Sequence, residues 1–147
     1  KPKFAPVKNW SDELGFAAYK KQKAWIDIAM TSKQVAKQTR DKTTYLKAHR
    51  LLADAMPDNL NHNLQAGKVL TQHKQATLAL RYLRRVIKQF PDNIDARIAL
   101  AHAHAELNDL DNSLKTLEAI LKIDPQNKIA LHNIKGIKQF LTQKGKS

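Results

Sequence analysis

The sequence contains no cysteine among its 147 residues, which excludes disulfide scaffolds, thiolate zinc sites and thiol nucleophiles. Only four glycines occur, and they form no glycine-rich phosphate-binding loop. No nucleophile stands beside a base at an interpretable spacing, and no zinc-protease pattern accompanies the six histidines. The sequence therefore predicts a protein that is not an enzyme, with no cofactor, no bound metal and no small-molecule substrate.

Long hydrophobic runs are also missing. No stretch of about 18 uncharged apolar residues is present, so the sequence predicts no membrane-spanning segment. The absence of cysteine suits reducing and oxidising compartments alike and leaves the localisation open. A signal or anchor upstream of Lys1 would place the chain in the periplasm, which we favour slightly over the cytoplasm, and the Lys- and Gln-rich composition favours a bacterial protein.

Acidic residues are scarce beside basic ones. The chain has 26 Lys and Arg against 13 Asp and Glu, a formal net charge of +13 at pH 7. The excess is uneven, because residues 57–90 carry 6 basic and 1 acidic groups whereas residues 91–124 carry 3 and 7. This asymmetry favours an electrostatically selective surface, although patchy charge also keeps small domains soluble.

A repeat is visible in the proline positions. The interval from Pro57 to Pro91 equals the interval from Pro91 to Pro125, and we call this interval the repeat step. Each of the three prolines is followed, two positions later, by an asparagine. Proline cannot continue a helix, so each of these points marks a helix end followed by a turn.

The segments between the prolines have a helical pattern. Apolar residues recur there every three or four positions, as amphipathic helices require. Each unit of one repeat step is therefore predicted to be a helix, a tight turn and a second helix. Asn108 is predicted to adopt the left-handed conformation at one of these turns.

These units resemble the tetratricopeptide repeat family, whose pattern has small residues at the eighth and twentieth positions and proline near the end. The two best-matching repeats are residues 60–93 and 94–127. Their matching residues are Gly67, Ala79 and Pro91 in the first repeat, and Ala101, Ser113 and Pro125 in the second. The resemblance implies an all-α, right-handed α-solenoid of helix-turn-helix repeats.

The flanking segments complete the predicted organisation. Residues 1–10 should be an extended arm or linker, and residues 11–147 a single domain. Within it, residues 11–56 form a long N-terminal helix and a degenerate repeat, and residues 128–143 form a C-terminal capping helix. Ser11 caps the long helix, which continues to about Gln38, either unbroken or with a break near Lys20 to Lys23. Its inward-facing residues are predicted to be Leu14, Ala18, Trp25, Ile28, Ala29 and Val35.

The resemblance also implies a binding surface. In this family the first helix of each repeat lines a concave groove, so the chain is expected to be a non-catalytic interaction module or assembly scaffold that binds a partner peptide or domain. The implied groove residues are Asn61, Leu64, Lys68, Gln72, Asp95, Ile98, His102, Glu106, Ile129, His132, Asn133 and Phe140. The carboxylate clamp that some members use for chaperone tails is absent, because Leu64, Ala99 and Ile129 replace its Lys, Asn and Lys.

Two other surfaces remain as alternatives. Arg81, Arg84, Arg85 and Lys88 form one stripe on a helix, which we call the basic stripe, and it could dock phosphates of nucleic acid or an anionic membrane. Its other interpretation is a solvated outer face. An uncovered edge repeat or the long first helix could instead support homo-oligomerisation.

The histidines allow one metal hypothesis, which we set aside. His102 and Glu106 share a helix face, and His132 follows in the next unit, but no second carboxylate is near. His104 stands where the family has a tyrosine and is predicted to be a core histidine.

Overall fold

The computed structural model describes residues 13–146, with side chains from residue 20 to residue 145. Over that range α-helices joined by short turns are the only regular secondary structure, with no strand. The seven helices are α1 (Glu13–Thr39), α2 (Lys42–Ala55), α3 (Leu60–Gln72), α4 (Ala76–Gln89), α5 (Ile94–Glu106), α6 (Leu110–Ile123) and α7 (Lys128–Lys146). The predicted arm at residues 1–10, the Ser11 cap and the inward side chains of Leu14 and Ala18 lie outside the described residues.

The asparagines that follow the three prolines are helix caps. The side-chain oxygens of Asn59 and Asn93 each accept a 2.8 Å hydrogen bond from a backbone N–H in the first turn of α3 and α5. Asn127 does the same for α7 at 3.0 Å. Such a cap satisfies one of the four N–H groups that a helix start leaves free. The proline therefore ends one helix, and the asparagine that follows it starts the next.

The turns inside the units repeat as well. Arg40, Lys74 and Asn108 have φ values of 59°, 64° and 59°, and they are separated by the same repeat step as the prolines. The left-handed conformation predicted for Asn108 is confirmed. Arg40 and Lys74 adopt it although it is unfavourable for residues other than Gly, Asn and Asp, because the packing of the paired helices imposes it.

Small residues allow the two helices of a unit to approach closely. Ala79 is fully buried where α4 meets α3. In the next unit the Ser113 hydroxyl of α6 donates a 2.8 Å hydrogen bond to the carbonyl of Ala101 in α5. The units then stack, since α3 packs on both α4 and α5 while α7 packs on α6. The all-α solenoid prediction is confirmed.

The structure decides between the two alternatives for α1 and corrects the prediction of its buried face. The helix runs unbroken through Lys20–Lys23. Ile28 and Val35, predicted to face inward, are 53% and 51% exposed, whereas Ala29 and Ala36 are buried. Neighbouring residues on a helix point about 100° apart, so the close approach of α1 to α2 selects the two alanines and turns the larger residues outward.

The C-terminal helix is longer than predicted. The sequence places its end at residue 143, but α7 continues to Lys146. No proline interrupts this segment, and lysines near a helix C-terminus interact favourably with the free carbonyls there.

His49 of α2 is buried among α1, α2 and α3. The ring is 6% exposed and its Nε2 has no hydrogen-bond partner among the described residues. Tyr45 packs edge-on against it at 4.6 Å between ring centroids. Burial, with smaller contributions from the charges of Lys33 and His62, lowers the pKa of His49 to about 4.

We expect this histidine to make the fold sensitive to acid. As pH falls below about 6.5 the unfolded chain takes up the proton first, and the loss of stability ends only below about pH 4, where the folded protein is also protonated. Between pH 7 and pH 4.5 the contribution should be about 2 kcal/mol. Urea unfolding at both pH values should show a smaller loss for His49→Leu than for the wild type. Equal losses would contradict the assignment, because His62 and His104 titrate in both proteins.

Candidate functional site

The first helices of successive units border a hollow of about 300 Å³. The residues that line it come from three helices. They are Lys68, Thr71 and Gln72 of α3, Asp95, Ile98, Ala99 and His102 of α5, and Ile129 of α7. Six of them belong to the predicted groove set, and we call this space the first hollow. The turns and caps recur at every repeat step and place these helices side by side, which is why positions so far apart in sequence meet here.

A second hollow of about 290 Å³ lies one repeat further along the chain. His132 and Asn133 of α7 line it, as Ile98 and Ala99 of α5 line the first hollow one repeat step earlier. His102 lines both spaces. An extended ligand that follows the solenoid could therefore contact both hollows, with the His102 ring between them.

Other predicted groove residues lie elsewhere. Leu64 is 6% exposed and packs in the core, so its assignment to the groove is wrong. It is one of the apolar residues that α3 needs to bury against its neighbours. Asn61 is exposed on the first turn of α3 but lines neither hollow. Phe140 is 51% exposed on α7, beyond both spaces. Glu106 accepts a 2.9 Å hydrogen bond from Lys74, which keeps its carboxylate at the end of α5.

The sequence analysis missed two residues that line the first hollow, Thr71 and Ala99. Ala99 lies one repeat step before Asn133, which was predicted, so the step alone could have found it. Thr71 lies one repeat step before Ala105, which was not predicted either, so the repeat step gave no signal for Thr71. The Thr71 hydroxyl donates a 2.8 Å hydrogen bond to the carbonyl of Gly67, so the side chain presents mainly its methyl group to the hollow.

The helices that border the hollows carry more basic than acidic residues, and among the described residues Lys68 and Asp95 are the only Lys, Arg, Asp or Glu that line the two spaces themselves. The helices α3 and α7 contain no acidic residue, and α7 contains five lysines. On α5 the acidic residues are Asp95, in the first hollow, and Glu106, which pairs with Lys74. The field over this side of the molecule therefore favours ligands of negative charge.

The basic stripe is shorter than predicted. Arg81, Arg84 and Lys88 are exposed on α4, but Arg85 is not part of this surface. One of its terminal nitrogens (Nη1) lies 3.2 Å from the carboxylate of Asp54 and 3.2 Å from the side-chain oxygen of Asn63. These contacts tie α4 to α2 and α3. Docking of phosphates on the remaining three residues stays a prediction.

His104 is buried, as predicted for a core histidine. Its Nδ1 lies 3.6 Å from a carboxylate oxygen of Asp109. Burial lowers the pKa of His104, and Arg84 lowers it further while Asp109 opposes the shift. The ring therefore acts as a packed neutral group.

The histidines and carboxylates are dispersed over the part of the chain that the structure describes. Its side chains form no group of three or more His, Asp or Glu that could hold a metal ion. His102, Glu106 and His132 are not assembled into one. None of the helices within residues 13–146 is both long and apolar enough to cross a bilayer.

Comparison with known families identifies the repeats. A family model described as tetratricopeptide repeat (TPR) matches residues 70–136, which include α4, α5, α6 and half of α7. Residues 70–136 are tetratricopeptide repeats. The TPR match includes every residue that lines the two hollows except Lys68 and Ile137.

Solved TPR domains share the fold. The first TPR domain of the human RPAP3 protein superposes with a TM-score of 0.66 at 17% identity, over 84% of this chain and 97% of that domain. The second TPR domain of human RPAP3, solved in complex with the HSP70 peptide SGPTIEEVD, gives a TM-score of 0.64 at 14% identity, over 80% and 98%. At these identities the likeness establishes the TPR fold alone.

One curated relative is similar in sequence. An FK506-binding protein-like protein of Rattus norvegicus is 34% identical over 92 residues, which is 58% of this chain. The chain spans about a quarter, 26%, of that protein's length.

Proposed function

We propose that this chain is a non-catalytic protein-interaction module that binds an extended segment of a partner protein across the two hollows. One observation carries the proposal: the first hollow brings together six residues that the repeat register assigns to a groove. They come from three helices that lie far apart in sequence. The binding unit would comprise repeats 60–93 and 94–127 together with α7.

The composition of the first hollow suits a peptide. Lys68, Gln72 and His102 supply hydrogen-bonding groups for a peptide backbone or polar side chains, and Ile98 and Ile129 supply apolar contact. A groove with both kinds of group binds by main-chain hydrogen bonds and selects by side-chain pockets. Both kinds of contact are available to a peptide that lies along α5.

Relatives support the general function. The second TPR domain of human RPAP3 is solved with an HSP70 peptide, and a domain described as the first TPR of Spaghetti (RPAP3) is solved with the HSP90 peptide SRMEEVD. We do not propose the same tails for this chain, since Leu64, Ala99 and Ile129 replace three residues of the clamp. The partner is another protein, with a sequence of its own.

Substitutions in the first hollow should weaken binding without unfolding the protein. A library of random 12-residue peptides displayed on phage would supply the probe, and a fluorescein-labelled copy of the best peptide would report affinity by anisotropy. Lys68→Ala and His102→Ala should each raise Kd about tenfold, as expected for loss of a charge-assisted or side-chain contact. Neither should lower Tm, because both side chains border solvent.

The matched control is Lys115→Ala, an exposed lysine on α6 outside both hollows. It should leave Kd unchanged. Unchanged affinity in both hollow variants would refute binding at this site, and a library that yields no binding peptide would count against the function as a whole.

A further inference from the structure

The two hollows differ in depth. The floor of the first hollow is closed because α3 and α5 pack against each other. The helices α5 and α7, by contrast, scarcely contact each other. The second hollow therefore reaches down between these helices to Ser113 and Leu117 of α6, both of which are buried beneath α5. The space is a slot between α5 and α7, and its floor is Leu117 together with Ser113, whose hydroxyl is already hydrogen-bonded to the carbonyl of Ala101.

Small residues line the walls of this slot. Ala101 and Ala105 lie on the α5 side, and Gly136 lies on the α7 side. One repeat position is occupied by Lys68 in α3, by His102 in α5 and by Gly136 in α7. The last of these helices therefore has a glycine where the two earlier ones have large polar residues. A Cβ added to Gly136 would meet no heavy atom within 4 Å. The glycine is thus not required by close packing, and its effect is to leave the slot open.

We propose that the second hollow is a specificity slot that takes one bulky apolar side chain from an acidic peptide. This inference rests on the proposed function and adds the class of ligand. A volume of about 290 Å³ is at the lower edge of the roughly 300–1,000 Å³ typical of small-molecule sites. The space therefore suits a single aromatic or large aliphatic side chain, whose burial on alanine, glycine and leucine surfaces is favourable.

The charges of the helices around the hollows indicate the composition of the rest of the peptide. The helices α3 and α7, which border the two hollows, carry no carboxylate. Of the two carboxylates on α5, that of Glu106 pairs with Lys74, and that of Asp95 lies in the first hollow, which Lys68 also lines, whereas no carboxylate of the described residues lines the second hollow. At the rim of the slot His102, His132 and Asn133 offer polar groups to the peptide backbone. An acidic segment with one apolar anchor complements this surface, whereas a basic or uniformly polar segment does not.

The test is to fill the slot with a larger side chain at Gly136 of α7. Peptides selected from the phage library should be enriched in Asp and Glu around one Phe, Tyr, Trp, Leu or Met. Gly136→Leu should raise Kd for such a peptide by about ten- to a hundredfold, the range expected when one large side chain loses its burial. Gly145→Leu, on the same helix where an added Cβ also meets nothing within 4 Å, is the matched control and should leave Kd unchanged.

A second peptide completes the experiment. When the anchor residue of the peptide is changed to alanine, wild type and Gly136→Leu should bind it with equal, reduced affinity. The inference is overturned if Gly136→Leu binds the original peptide like the wild type while Lys68→Ala still weakens it, and the proposed function then stands. If neither variant weakens binding, both fail. Loss of a wild-type dimer in sedimentation of Gly136→Leu would show that a second copy fills the slot, which also overturns the inference.

Discussion

Replacing Gly67 with valine is expected to lower the free energy of unfolding by about 2–3 kcal/mol. Gly67 lies on α3 where α4 crosses it, and an added Cβ would overlap Cγ and Cδ2 of Leu83. Leu83 is fully buried in the core and cannot swing toward solvent to relieve the overlap. The two helices must then separate, which weakens the packing of the whole unit. Urea unfolding followed by circular dichroism would measure the loss.

Gly136→Ala is the control, because it makes a similar change on α7 in open space. Alanine is favoured over glycine in a helix by about 1 kcal/mol, so this variant should be slightly more stable than the wild type. A stability gain at both positions would mean that Leu83 does not restrict Gly67. The contrast separates a glycine kept for close packing from one that packing does not require.

The repeat step explains how much of the fold was predictable. The prolines, the asparagine caps and the small residues at close approaches are local signals, and each recurs at an equivalent place in the structure. The solenoid follows from them, since each helix has one apolar face and must bury it on the next unit. The α1 helix was less predictable because no proline or cap subdivides it. Its buried face depends on which side α2 covers.

The repeat positions that face the candidate site were predictable from the sequence, but the side chains that line it were less so. Lys68, Asp95 and His102 line the first hollow because their repeat positions face it. Leu64 shares its repeat position with Ile98, yet it packs into the core cluster that contains Leu46 and Ala53 of α2. Arg85 has the spacing of the basic stripe, yet the carboxylate of Asp54 lies within its reach. Whether a side chain stays at the surface, joins the core or forms an ion pair depends on residues from other units. The spacing within one helix does not reveal these partners.

The repeat register predicted His102, His132 and Asn133 at the second hollow, but the depth of this hollow could not have been derived from the repeat pattern. A regular array would close α7 onto α5 as α5 closes onto α3, and the slot exists because that contact is nearly missing. The visible sequence signal was Gly136 at a position where the two earlier repeats have large polar residues. At this hollow, therefore, the informative sequence feature is a departure from the repeat pattern and not the pattern itself.

Replacing Asp54 with alanine is expected to cost about 2–3 kcal/mol, because it removes the partner of two groups at the joint between the first units. The Tyr82 hydroxyl donates a hydrogen bond to one carboxylate oxygen at 3.2 Å, and Tyr82 is fully buried. Arg85 donates to the other oxygen at 3.2 Å and lies over the Tyr82 ring at 5.1 Å. Chemical unfolding of Asp54→Ala would measure the loss.

The control and a double variant separate this network from an ordinary surface ion pair. Glu106→Ala breaks the exposed pair with Lys74, whose side chain is 78% exposed, and should cost less than about 1 kcal/mol.

Tyr82→Phe should be clearly destabilising alone but nearly neutral once Asp54 is alanine, since the same hydrogen bond is removed in both. Additive effects would show that the hydroxyl and the carboxylate act independently. Coupling would instead show that the Tyr82 hydroxyl and the Asp54 carboxylate stabilise the joint between these units as a pair.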